Sequence, residues 1–217
     1  MAVFCRCPDS ACAGEETTTA SVQPEGAEQV DCIWITIRDD YGSDESHWGT
    51  AGHPAQVLCK IIRLNIEPEQ IKDAIIRYKI GCDPYHAKLQ AYFNSATEGV
   101  AWADVVIRVN DETVTRKSPV EIATLGWHEI PVKPGLLKRG DNTIKFSWAE
   151  IPGDNPLNAS YGVFYMGIDT AGKARRSCSS VDYGKTFRFD TLRPHYAPDK
   201  AWQGEYMVRL GIALPCE

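Results

Sequence analysis

The stretch from Trp127 to Trp148 leaves the chain little choice of fold. An apolar run, Trp127-His-Glu-Ile-Pro-Val132, meets a break carrying Gly135 and Gly140. Asn142 then opens a second run in which Ile144, Phe146 and Trp148 alternate with Thr143, Lys145 and Ser147. Period-two alternation puts successive side chains on opposite sides of an extended backbone. Two such runs around turn residues make antiparallel strands with one buried face.

The same layout recurs along the chain. Strands are predicted over 32–38, 57–66, 74–82, 87–93, 104–110, 121–132, 142–148, 161–169, 176–181, 186–189 and 205–214, with a long polar loop over 39–54. Helical spacing is confined to one short turn at 68–72. Many short strands separated by Gly, Pro, Asn and Asp imply an all-β, antiparallel sandwich of the jelly-roll kind. Residues 1–30 are small, polar and acidic, without a period, and read as a Cys-containing leader or arm; residues 31–217 read as the β-sandwich domain. Parity then sorts the faces. Ile76, Tyr78, Ile80, Val105, Ile107 and Val109 point inward, leaving Arg77, Lys79, Lys88, Arg108 and Lys145 on an outer face taken as one surface.

Charge and cysteine content bound the function. Residues 1–52 hold ten acidic and two basic side chains, a net −8, whereas residues 53–217 come to +2. The body lacks the dense basic face that nucleic acid requires. No run approaches the roughly 18 apolar residues of a membrane span, and no signal-peptide pattern stands at the start. The eight dispersed cysteines (Cys5, Cys7, Cys12, Cys32, Cys59, Cys82, Cys178 and Cys216) point to several disulfides and an extracellular or cell-surface setting. Cys5, Cys7 and Cys12 lack the second ligand pair of a zinc site.

Three pieces together, Val105-Val-Ile-Arg-Val-Asn-Asp111, the Trp127 to Val132 run and Leu137-Lys-Arg-Gly-Asp-Asn-Thr-Ile-Lys-Phe146, resemble the galactose-binding-like jelly roll. Ser180-Val-Asp-Tyr-Gly-Lys-Thr186 and Gly204-Glu-Tyr-Met-Val-Arg-Leu210 are similar to later pieces of such domains. The resemblance spans roughly residues 55–214. It implies a carbohydrate-binding-module-like domain of a secreted bacterial protein, and a structural calcium ion as the cofactor such modules often carry. Its motif residues belong to core and turns, so the ligand site has to be sought elsewhere.

Sugar recognition needs aromatic plates for the C–H face of a pyranose and polar groups for its hydroxyls. Tyr92 points outward on parity and Trp102 closes the next loop. Arg108 lies on the outer face, and Arg175 with Arg176 forms a fork for carboxylate or sulfate. These five are the candidate ligand-binding residues; no catalytic residue is assigned. The carboxylates Asp39, Asp40, Asp44, Glu45, Glu150 and Asp154 have no diagnostic spacing, and neither nucleophile-elbow nor zinc-protease motifs occur. The leading expectation is a secreted, non-catalytic module for polysaccharide, anionic polysaccharide included. The alternatives are a structural subunit of a filament, sheath or surface layer self-associating through its arm, and a polysaccharide-degrading enzyme on a jelly roll.

Overall fold

The computed structural model describes residues 32–40, 47–51, 55–82, 101–149, 159–160, 163–171, 174–189, 192 and 204–216; for 47–51, 101–102 and 159–160 it describes the backbone. Among the described residues fourteen strands run in chain order: β1 (Cys32–Ile37), β2 (His47–Ala51), β3 (Val57–Leu64), β4 (Asp73–Cys82), β5 (Ala101–Trp102), β6 (Val105–Val109), β7 (Glu112–Lys117), β8 (Gly126–Val132), β9 (Gly140–Trp148), β10 (Ala159–Ser160), β11 (Phe164–Asp169), β12 (Ser177–Ser180), β13 (Glu205–Tyr206) and β14 (Val208–Pro215). The molecule is an all-β sandwich.

Seven strands form the larger sheet. Its path is β1-β14-β4-β11-β13, with β8 also paired to β4 and β2 to β11. The smaller sheet has five strands in the order β12-β3-β9-β6-β7, and β5 pairs with β10 in a separate two-stranded parallel ribbon. Apart from that ribbon, the pairings are antiparallel, so each inner face receives every second side chain. Ile76, Tyr78 and Ile80 of the larger sheet meet Ile107, Val109, Ile144 and Phe146 of the smaller one in a single core. Aromatic pairs bridge the layers, Tyr78 to Phe146 at 5.4 Å and Trp148 to Phe164 at 5.2 Å between ring centroids. Each large core side chain contributes about 1.5–3 kcal/mol by leaving water.

Two asparagines tie the core to its turns. Asn110 and Asp111 take φ of 49° and 74°, the left-handed pair of a two-residue hairpin turn between β6 and β7. Asn110 Nδ2 donates to Leu136 O and Asn142 Oδ1, each at 2.8 Å. Asn142 in turn holds Lys138 through both its N–H and its carbonyl. The Leu137-to-Asn142 motif is therefore a latch on the β8–β9 connection.

Several expectations are corrected. The polar stretch at 39–54 contains β2, which takes its place by backbone pairing with β11 rather than by apolar pattern. A strand at 112–117 was not foreseen, and β8 begins only at Gly126, because 118–125 is taken up by turns. The segment 186–189 makes only an isolated bridge, Arg188 to Ser179. The expected strand at 87–93 lies outside the described residues, as does the leader at 1–30.

The expected disulfides are not found among the described residues: Cys32, Cys59, Cys82, Cys178 and Cys216 form none, and Cys5, Cys7 and Cys12 lie outside. Cys82 is buried within the core cluster. Cys59 and Cys178 stand directly opposite each other on β3 and β12 but share a thiol hydrogen bond. That bond, with burial, pushes the Cys59 thiol up, and it pulls Cys178 down. An even cysteine count said nothing about which pairs the sheets would bring together.

The supposed single cationic face is also two faces. Arg77 and Lys79 are on β4, on the outside of the larger sheet, while Arg108 and Lys145 are on β6 and β9, on the outside of the smaller one. Parity was right for each strand, and sheet membership separated them. Lys88 lies outside the described residues.

Candidate functional site

The outer side of the smaller sheet carries the strongest grouping of polar and aromatic chemistry. Arg108 and Lys145 are register partners on β6 and β9, turned outward because their neighbours Ile107, Val109, Ile144 and Phe146 fill the core. Arg108 Nη1 donates to Ser147 Oγ at 2.8 Å, and among the described residues no carboxylate pairs with this guanidinium. Lys145 Nζ pairs with Asp111 Oδ1 and stands 5.6 Å above the Phe187 ring, a cation–π distance.

A rigid turn borders this surface. Ser180 Oγ accepts from the N–H groups of Asp182 and Gly184 at 3.2 and 2.9 Å and donates to Asp182 Oδ1 at 2.6 Å. Asp182 accepts from Thr186 N–H at 2.9 Å and from Thr186 Oγ1 at 2.6 Å. Together the Ser180 and Thr186 bonds to its ionised form hold the Asp182 carboxyl down to about 2.

Tyr183, between them, adopts φ of 61° and is 63 % exposed. A bulky residue in the left-handed region is uncommon and is held there by its surroundings. Here the surroundings are the Ser180–Asp182 bonds and a 2.8 Å bond from Tyr183 N–H to Ala55 O. Gly184, whose φ of 78° suits glycine, packs against Phe187 and against Val57 at the start of β3. Val57 is the register partner of Ser147, which binds Arg108. The turn thus holds an exposed phenol ring at the start of β3, on the sheet that carries the cationic strip. Val181 and Phe189, also exposed, flank it.

Of the residues singled out from the sequence, Arg108 lies in this site. Tyr92 lies outside the described residues. Trp102 is in β5, with Ser160 as its register partner, and its side chain is not among those described. Arg175, at φ of 53°, is exposed where the chain enters β12. Arg176 donates its backbone N–H to buried Glu205 at 3.0 Å, and its Nη1 lies 4.0 Å from Asp39. The Arg175-Arg176 fork is therefore not assembled with Arg108: three strand spacings separate β6 from β12.

Tyr183 was missed as a site residue, because its motif was read only as a fold signature. Its signal was an aromatic flanked by Asp and Gly two residues after a Ser-Val step, turn chemistry that turns a side chain outward.

Other surfaces offer less. On the larger sheet Arg77 and Arg209 are paired with carboxylates. Arg77 pairs with Glu129, and Arg209 makes a two-pronged contact with Asp40 while stacking 4.3 Å from the Trp127 ring centre. A cleft of about 670 Å³ opens beside Asp73, Glu112, Lys133 and Leu136, but no aromatic side chain lines it. Among the described residues no group of three His, Cys, Asp or Glu side chains is placed to hold a metal ion. No helix among them is long and apolar enough to cross a membrane.

The fold and this surface define an all-β sandwich with an aromatic and cationic outer face. No family model matches the chain, and no curated protein matches it. Among solved structures it is similar to a β-porphyranase of glycoside hydrolase family 86 from the human gut bacterium Bacteroides plebeius, at 20% identity and a TM-score of 0.32, over 62% of this chain and 20% of that one. The matched region thus spans a fifth of the length of that structure.

Proposed function

We propose that the domain is a non-catalytic carbohydrate-binding module of the galactose-binding-like kind, acting outside the cell on anionic polysaccharide. The observation that carries this reading is Tyr183, 63 % exposed on a turn fixed by Ser180 and Asp182, on the sheet whose outer face also carries Arg108, a guanidinium with no carboxylate partner among the described residues. One sugar unit of the polysaccharide stacks its C–H face on the phenol ring, while a carboxylate or sulfate of the same polysaccharide meets Arg108 in a forked geometry. The cation is exposed to salt, so affinity falls as ionic strength rises and the Debye length drops below about 10 Å.

Affinity electrophoresis through gels containing uronic-acid, sulfated or neutral polysaccharide tests the reading. The parent is retarded on at least one anionic gel, whereas Tyr183→Ala and Arg108→Ala migrate as they do without ligand. Tyr183→Phe keeps the plate and stays retarded. A parent that runs freely on every anionic gel, or variants retarded as strongly as the parent, would refute it.

One observation favours the structural-subunit reading. Among the described residues β1 is an edge strand that pairs only with β14, and it exposes Ile33 and Trp34. Unpaired edges of this kind recruit strands from other copies. Concentration-dependent mass in light scattering would support it, and a strict monomer at all concentrations would exclude it.

A further inference from the structure

Lys60 lies where a lysine is least expected. It stands on the inward side of β3, in the row Leu58, Lys60, Ile62 and Leu64, and its side chain is 0 % exposed. Its Nζ is 2.6 Å from Oε2 of Glu205, which is equally buried, 3.4 Å from Asp39 Oδ2, and 3.5 Å from Ser177 Oγ. Two carboxylates from separate segments thus face one amine inside a β-sandwich.

The carboxylates are held differently. Glu205 is pinned: Ser177 Oγ donates to Oε2 at 2.7 Å and Arg176 N–H to Oε1 at 3.0 Å, in addition to Lys60. Asp39 is 18 % exposed, and the guanidinium of Arg176 stands 4.0 Å from its Oδ1. Glu205 is therefore placed as a proton carrier. Asp39 is placed as an acyl group with a cation beside one oxygen and a side chain partly open to water.

We propose that Lys60 and Asp39 condense into an intramolecular amide, Nζ to Cγ, with Glu205 as the general base and acid. The Lys60 ammonium gives one proton to Glu205, and the freed lone pair attacks Asp39 Cγ. Negative charge building on Oδ1 is stabilised by Arg176. The nitrogen loses a second proton to the departing oxygen Oδ2, and Glu205 returns the first to the same atom. The Cγ–Oδ2 bond then breaks and one water leaves on the exposed side of Asp39. The ammonium and carboxylate become one neutral amide and one water, and Glu205 ends as it began. The driving force is the removal of two charges from an interior where an ion pair recovers little of its desolvation cost. The remaining amide N–H still has Glu205 as its acceptor. The bond ties the segment after β1, in the larger sheet, to β3 in the smaller one.

Mass spectrometry of the full, folded chain tests this directly. The intact mass is expected to be one water below that of the sequence. No Lys or Arg lies between Asp39 and Lys60, so trypsin should yield a piece running from Asp39 to Arg63, uncut after Lys60 and one water light. A link to Glu205 would instead attach the piece ending at Arg209, and would overturn the assignment to Asp39. Asp39→Ala is expected at its full sequence mass. Asp39→Asn should reach the same final mass as the parent by losing ammonia, and Glu205→Gln should leave Lys60 cleavable. A folded parent at full sequence mass, or an Asp39→Ala chain that is still one water light, refutes the bond.

Discussion

Replacing Asn142 by alanine should loosen the smaller sheet at its best-defined point. The Asn142 side chain is 1 % exposed and makes four hydrogen bonds. Oδ1 accepts from Lys138 N–H at 2.9 Å and Asn110 Nδ2 at 2.8 Å, while Nδ2 donates to Lys138 O at 2.8 Å and Gly140 O at 3.2 Å. A net intramolecular bond contributes about 0.5–1.5 kcal/mol, which brackets the loss at about 2–6 kcal/mol. The backbone of Lys138 and Gly140 reaches solvent once the side chain is gone, and Asn110 keeps its bond to Leu136. The lower part of the range is therefore expected, about 2–3 kcal/mol. Urea unfolding followed by tryptophan fluorescence reads this as a lower midpoint at unchanged slope. Asn110→Gly, which keeps the left-handed backbone, completes a double-mutant cycle with a coupling of about 1 kcal/mol. A single-variant loss under about 0.5 kcal/mol, or strictly additive variants, would refute the latch.

Three further outcomes follow from particular groups. Tyr78 is fully buried, burial pushes its hydroxyl up to about 12, and that hydroxyl has no hydrogen-bond partner among the described residues; Tyr78→Phe should therefore be neutral or stabilising by up to about 1 kcal/mol, and a loss of more than that would reveal a partner. Asp182 should titrate by NMR near 2; because its folded value is depressed, its stabilisation of the Tyr183 turn is complete above the unfolded value of 3.8 and is lost as pH falls through about 2, so a midpoint near 3.8 would mean the turn is not held as described. Thiol titration of the unfolded, unreduced chain should count at least five reactive thiols, one for each described cysteine, and fewer than five would restore the disulfide expectation.

What the sequence determined by itself is local. Alternation decided which side chains of one strand face together, so Ile76, Tyr78 and Ile80, Val105, Ile107 and Val109, and Ile144, Phe146 and Trp148 all lie in the core. Turn chemistry at Gly140 and Asn142 was legible for the same reason, since its bonds reach only a few positions along the chain. Tertiary structure decided everything that depends on a partner distant in sequence. β2 exists because β11 offers it a backbone edge, although its own residues carry no apolar pattern. Arg77 and Arg108 look alike on parity and lie on opposite outer faces because β4 and β6 joined different sheets. The Tyr183 turn joins the smaller sheet only through contacts with the start of β3, at Ala55 and Val57, far from it in sequence. Lys60 reads as a fault in an apolar row until Glu205, 145 positions away, arrives as its partner. A strand's periodicity is a property of its own backbone. The pairing that gives a buried charge or an exposed ring its role is settled only when the sheets assemble.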